Sequence, residues 1–423
     1  MAGKSSREEY PLWTWMFIRV GIVTALAGVC RQVYMSSFPY FLEQQGFSAT
    51  AMGLVASGYT IVAMVTRIVS GNLVDKYGRR NMLIIGTILF GIPMVGFLVA
   101  NNAGFSATVT LSLIVVFRMS QGIGSSLTSI STGTMAPDVL HPSRRSEGIG
   151  YYGMFNNLAT AVGPAMGIGF LLAGKSNQYF LFTLAMIVLA LPFAMSINYE
   201  KNEIREKKEE KKPVSTGKMS LWEKINSTLI YKKALPAAAV FAFVSFSTTS
   251  VSNFISPYAV ALGFENIGSF FTVQAIFMIV ARISSGKISK RIGNFHTLQL
   301  GIGIDMIGFI VMAFMQSEWQ LFLGAALRGL GGGINMPVLN VLAVQSASHD
   351  ERGKATSTYY AAFDIGSGIG AAVWGVVADM FGTQGNMIPG YRAVYIGASL
   401  FFALTMAAAY ILIGKKEKEQ KQH

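Results

Sequence analysis

The chain has 423 residues, 52% of them hydrophobic and only 13% charged, with a formal net charge of +13. Soluble domains carry nearer a quarter charged residues, so this composition excludes an ordinary water-soluble domain and implies a membrane protein. A single cysteine excludes an intramolecular disulfide framework, and four histidines without HExxH spacing offer no metal centre.

The opening MAGKSSREEYPLW shows no small-residue cleavage site after a short apolar core, so the first apolar helix is expected to be retained. Apolar runs of about 20 residues, the length that crosses the hydrocarbon core as a helix, recur along the chain. Read against their breakers they predict twelve spans. The first six are Trp13–Phe41, Ala51–Ser70, Met82–Ala100, Ala107–Met135, Gly148–Ala173 and Tyr179–Ile197. The second six are Leu235–Leu262, Ile267–Ile288, Thr297–Met315, Trp319–Gln345, Ala355–Met380 and Ile388–Ile413. Between the sets lies a mixed-charge stretch containing EKNEIREKKEEKK, which reads as a solvated connector with a short interfacial helix at Trp222–Leu229. The expected organisation is a six-helix bundle over residues 1–198, a cytoplasmic linker over 199–233, and a second six-helix bundle over 234–423 ending in a short cytoplasmic tail.

Lysine and arginine concentrate in the two termini and the even-numbered loops, with only Lys175 and Arg392, the latter at the start of the twelfth span, falling to the odd-numbered side. That asymmetry places both termini in the cytoplasm of a protein crossing the cytoplasmic (inner or plasma) membrane many times. The positive balance is thereby explained as orientation, and no nucleic-acid partner is expected.

The two sets of spans match in phase. Arg67-Ile68-Val69-Ser70-Gly71 returns as Arg282-Ile283-Ser284-Ser285-Gly286, with Gly78 against Gly293. Pro39-Tyr40 and Gly46-Phe47 return as Pro257-Tyr258 and Gly263-Phe264, and Arg118 with Gly122 returns as Arg328 with Gly332. HPSRRSEGIGYYGMFN, from His141, matches HDERGKATSTYYAAFD, from His349, and sets Asn156 against Asp364. Two six-helix halves in parallel repeat form the architecture of one large transporter class.

GNLVDKYGRR (Gly71–Arg80), with Gly71, Leu73, Asp75, Gly78, Arg79 and Arg80 in place, resembles the loop 2–3 signature of the major facilitator superfamily. RMSQGIG (Arg118–Gly124) is similar to that family's fourth-helix signature, and AVGPAMG (Ala161–Gly167) to the fifth-helix Gly-Pro signature associated with exporters. The resemblance implies an all-α membrane protein of twelve transmembrane helices in two pseudo-symmetric six-helix bundles. It also implies that Gly71, Asp75, Gly78, Arg79, Arg80 and Asp138 form a cytoplasmic gate. There Asp75 is expected near Ala355, at the positive end of the eleventh helix, and Arg79 is expected to reach Asp138. The alternative is that Lys76, Arg79 and Arg80 only enforce orientation. In the second copy Lys290 replaces the aspartate, so the latch is expected on one side only.

Charge at membrane depth is costly unless paired or facing water. Arg19, Arg67 and Arg282 lie near cytoplasmic ends and are expected to snorkel. Arg31 lies about 18 Å deeper than Arg19 along the first helix. Arg118 and Arg328 are deep on the fourth and tenth helices, and the deep acids Asp305 and Asp364 are both in the second half. Arg31 therefore needs a carboxylate from the other half, a wet cavity, or an anionic group on the substrate; backbone carbonyls and Gln32 are the alternative. The spacing from Arg31 to Pro39-Tyr40 also resembles the organophosphate-exchanging branch of the family. That branch's second arginine, on the seventh helix, is Thr249 here. Asp364 is the candidate proton carrier, with Arg118 and Arg328 as coupling residues. Its alternatives are a static pair with Arg328 or a hydrogen bond to Tyr360. For Asp305 a structural pair is expected.

Polar stripes complete the candidate substrate site. The seventh helix carries Ser245, Thr249, Ser252, Asn253 and Ser256, and the fourth carries Gln121, Ser125, Ser129 and Thr132. Asn335 and Asn157 add to them. Taken one at a time such residues are glue between helices; together they line a hydrated cavity. The substrate-binding set is thus Arg31, Gln121, Ser125, Asn157, Thr249, Asn253 and Asn335. No nucleotide loop, nucleophile constellation or cofactor motif is present, so an ion gradient, of protons, is the expected energy source and no enzymatic activity is expected. The expected function is proton-coupled export of a small anionic, zwitterionic or amphipathic solute by a monomer in the lipid bilayer. An uptake symporter or organic-anion exchanger is the alternative on the same fold, and a transport-inactive membrane sensor the alternative of another class.

Overall fold

The computed structural model describes residues 10–198, 231–345, 347, 351–383 and 385–415, apart from the side chains at 71, 72, 75, 107, 146, 157 and 353. Most of the linker, the expected Trp222–Leu229 helix and the end of the tail lie outside the described residues. Twelve long helices follow in order. They are α1 Trp15–Gln44, α2 Ala49–Tyr77, α3 Arg79–Asn102, α4 Ala107–Asp138, α5 Arg145–Leu172 and α6 Ser176–Met195, then α7 Leu235–Ala261, α8 Ile267–Ile292, α9 Asn294–Ala313, α10 Glu318–Gln345, α11 Arg352–Phe381 and α12 Ile388–Ala409. Ten of them contain segments long and apolar enough to cross a membrane; α4 and α10, which carry the deep arginines Arg118 and Arg328, fall outside that set.

The second span, expected to end at Ser70, runs on through the first seven residues of GNLVDKYGRR: α2 continues through Asp75 to Tyr77. The chain then reverses at a single residue, Gly78 (φ +88°), and Arg79 opens α3. Gly293 (φ +83°) does the same between α8 and α9. Left-handed φ is cheap only without a Cβ, so one glycine suffices where a longer loop would otherwise be needed. Gly46 (φ +78°) and Gly263 (φ +79°) form a second repeat pair. There Phe47 N–H bonds to Leu42 O at 3.1 Å and Phe264 N–H to Ala259 O at 3.0 Å, closing α1 and α7 with the same carbonyl-satisfying motif.

Packing divides the chain into two compact units. The first holds the described residues 10–34, 62–163 and 172–198. Val20, Val23, Leu83, Met135, Ala136, Ala194 and Ile197 form one cluster of its core. Small residues bring its backbones together, as expected where lipid offers no hydrophobic force between helices. A Cβ on Gly124 would stand 2.7 Å from Gly86 O of α3, and one on Gly163 would stand 2.9 Å from Val29 O of α1.

The second unit holds residues 35–61 and 164–171 with the described residues from 231 onward. It therefore contains the end of α1, the start of α2 and two turns of α5. Its interior is aromatic: Tyr258 stacks on Tyr395 at 5.6 Å, and Phe241 stacks on Tyr359 at 4.1 Å. Buried hydroxyls and indoles need acceptors. Tyr359 donates to Met336 O at 2.9 Å and Trp374 Nε1 to Phe246 O at 2.7 Å.

Candidate functional site

Arg31 lies about 24 Å along α1 from Trp15, far from either helix end. Close contact between α1 and α5 sets its surroundings. Gly28 faces Ala159, where an added Cβ would lie 2.9 Å away, and Gly163 meets the α1 backbone. The half-buried guanidinium donates from Nη1 to Ser129 Oγ of α4 at 3.0 Å and from Nη2 to Asn156 Oδ1 of α5 at 3.4 Å. Asn156 itself donates to Tyr152 O at 3.4 Å, so its amide is loosely held on both sides. Among the described residues, the partners of Arg31 are neutral side chains, rather than backbone carbonyls or Gln32. A deep cation with only neutral partners keeps its charge available to an anion.

The repeat counterpart, Thr249 on α7, carries no charge. Ser367 donates to its hydroxyl at 3.2 Å and Asn253 Nδ2 to its carbonyl at 2.9 Å. The hydroxyl and amide expected to line a site are thus brought together here, within the second unit.

The other two deep arginines are held differently from each other. Arg118 is buried, donating to Gln121 Oε1 at 2.7 Å, one turn along the same helix, and to Tyr34 O at 3.5 Å. Arg328 donates to Asp305 Oδ1 of α9 at 3.1 Å, and Asn335 Nδ2 donates to Asp305 Oδ2 at 2.8 Å. Asp305 is fully buried. Asn335, expected to contact substrate, is engaged by this ion pair, which is the structural partnership expected of Asp305. Asp364 is buried on α11, and Ser125 is buried on α4.

At the ends of the helices nearer the chain termini, Arg79 forms an ion pair with Asp138, and Arg80 Nη2 donates to Met195 O at 2.6 Å. Gly78 supplies the turn from α2 into α3 that presents both arginines. Gly71 and Asp75 are helical in α2, but their side chains, like that of Asn157, lie outside the described residues. Sequence reasoning overlooked Asn156 as an Arg31 partner, although its match to Asp364 in the repeat was a usable signal. It also overlooked Asp379 and Glu43, acids near helix ends, which no motif marks.

Apolar helices of membrane-spanning length, turned by paired glycines and carrying polar clusters at depth, define a multi-pass membrane protein. Residues 20–318 and 300–423 match the Major Facilitator Superfamily model, and the chain belongs to that superfamily. It is 26% identical over 381 residues to the staphylopine export protein of Staphylococcus aureus (strain Mu50 / ATCC 700699), covering 87% of this chain and 90% of that one. Among solved structures, a point mutant of the nucleoside transporter NupG superposes with a TM-score of 0.75 at 13% identity, covering 94% of this chain and all of its own. A bacterial homologue of the human lysosomal transporter Spinster superposes with a TM-score of 0.71 at 13% identity, covering 97% and 98%. These likenesses show the fold.

Proposed function

We propose that this transporter exports a small organic solute bearing a carboxylate or similar anion across the cytoplasmic membrane, with both termini inside. The observation that carries the reading is Arg31, a half-buried guanidinium held by Ser129 and Asn156 and by no carboxylate among the described residues. A planar fork of this kind takes a carboxylate through two parallel hydrogen bonds. The arriving anion replaces the 3.4 Å contact to Asn156, whose amide then turns its Nδ2 toward the solute. Gln121 and Ser125, on α4 of the same unit, supply neutral hydrogen bonds to the remainder, and Thr249 and Asn253 are a polar cluster within the second unit.

Export is favoured by similarity to a protein named for staphylopine export, together with AVGPAMG on α5. The energy source is the proton gradient, with Asp364 as the group that takes up and releases the proton, and the protein works as a monomer without a cofactor. Alternating access, with a midplane site reached from each face in turn, is the mode of action.

The test uses inverted membrane vesicles, an imposed proton gradient, and as probes staphylopine and a panel of mono- and dicarboxylates with their amides. Arg31→Gln is expected to abolish uptake of the acids. Arg31→Lys, which keeps charge but loses the fork, is expected to retain a small fraction of it. Undiminished flux of the acids through Arg31→Gln would remove Arg31 from the substrate site, and accumulation driven by an inward gradient in right-side-out vesicles would reverse the direction.

A further inference from the structure

Asp379 lies two residues before the end of α11. Its Oδ1 accepts from the backbone N–H of Ala49 at 3.0 Å and its Oδ2 from that of Thr50 at 2.8 Å. Those are the first two residues of α2, whose opening N–H groups have no partner within their own helix. The carboxylate therefore sits on the positive end of the α2 dipole, with both oxygens used. The helix does not need this help to start: Ser48 accepts from Ala51 N–H at 3.3 Å as a local cap. A cap supplied from a helix more than three hundred positions away, where a local one exists, ties two elements together.

Three further observations lie at the same place. A Cβ on Gly53 would overlap Ala371 O, and one on Gly375 would stand 3.1 Å from Thr50 Cα, so α2 and α11 touch backbone to backbone beneath the carboxylate. Tyr391 of α12 donates to Glu43 Oε1 near the end of α1 at 2.6 Å. Ser256 of α7 donates to Ser36 O of α1 at 3.0 Å. All of these belong to the face opposite the chain termini.

We propose that Asp379 is the residue that holds the transporter closed on that face, positioning α2 against α11, and that the face opens by releasing the α2 N-terminus. Helix polarity makes the chemistry reciprocal. The cap that the sequence resemblance implies for Asp75, whose side chain lies outside the described residues, is the same chemistry. At the start of α2 and the end of α11, within the second unit, Asp379 caps α2. Duplication did not supply the second cap. Counted from His141 against His349, the counterpart of Asp379 is Leu171, which has no carboxylate. The pairing suits a switch, since two charge-assisted bonds to backbone form or break together without repacking a core. It rests on alternating access but not on the role of Arg31, and the test below needs no substrate.

The chain has one cysteine, Cys30, which is buried, so an added cysteine reports alone. Ser256→Cys reports the face opposite the termini and Thr356→Cys, near the start of α11, reports the other. In membranes, impermeant maleimide applied to each face should label Ser256→Cys slowly in the parent and about tenfold faster with Asp379→Asn, the effect of losing one charge-assisted bond. Labelling of Thr356→Cys should fall over the same change, and Asp379→Glu should lie nearer the parent. Gly53→Ala, which pushes the helices apart without touching the carboxylate, should move both rates in the same directions as Asp379→Asn. Unchanged labelling at position 256 in both variants would overturn the proposal. A rise at both reporter positions would also overturn it, because that is loosening rather than alternation. Loss of substrate flux in Arg31→Gln with the labelling pattern intact would bear on the substrate site alone.

Discussion

Exchanging the two ways this protein holds a deep arginine tests the packing logic most sharply. Counted from Gly78 against Gly293, Asp305 stands where the first repeat has Phe90; counted from Arg118 against Arg328, Gly331 stands where it has Gln121. In one half the arginine finds its acceptor one turn along its own helix, and an aromatic occupies the neighbouring helix. In the other, the acceptor comes from the neighbouring helix, and glycine clears the way: a Cβ at 331 would stand 2.6 Å from Asp305 Oδ1 and 2.8 Å from Oδ2. Asp305→Phe therefore strands Arg328 and should cost about 3–5 kcal/mol. Gly331→Gln alone forces a side chain into the carboxylate and should cost about 1–3 kcal/mol. Together they rebuild the first-repeat arrangement. The new amide acceptor should recover about 1.5–3 kcal/mol, making the double variant more stable than Asp305→Phe. The measurement is a double-mutant cycle by equilibrium unfolding in mixed micelles, with monodispersity in mild detergent as the fold check. A double variant whose loss equals or exceeds the sum of the two single losses would refute the reasoning.

Two other consequences can be checked alongside the labelling and Arg31 experiments. Asp364→Asn should abolish flux driven by a pH gradient while sparing counterflow exchange, and unchanged gradient-driven flux would exclude its role as carrier. Glu318, at the head of α10 just outside the predicted span, accepts from Asn266 Nδ2 at 2.8 Å and from the backbone N–H groups of Asn266 and Glu265, and these bonds hold its pKa below the ordinary 4.5. A depressed folded pKa means that its stabilisation is complete above the unfolded value and is lost as pH falls through the folded one. Glu318→Gln should thus melt below the parent at neutral pH, with the gap closing as the solution is acidified below about 4.5; a gap constant with pH would show that the carboxylate charge contributes nothing.

The sequence alone determined the twelve helices and the positions of their turn glycines, though not that α2 runs on to Tyr77. Span length follows from bilayer thickness, and the paired turn glycines follow from the left-handed backbone they must adopt. The Arg79–Asp138 contact was also legible, because both residues lie at helix ends that short connections keep close. What the tertiary structure decided is which deep side chains meet. Arg328 pairs with Asp305 on α9, Asn335 is drawn into that pair, Arg31 rests on Ser129 and Asn156, and Asp379 reaches a helix start at the far end of the chain. Helical periodicity fixes the face a residue occupies but not the helix that face will touch. That choice depends on where glycines such as Gly53, Gly163 and Gly331 let two backbones approach, and those contacts join positions remote in sequence.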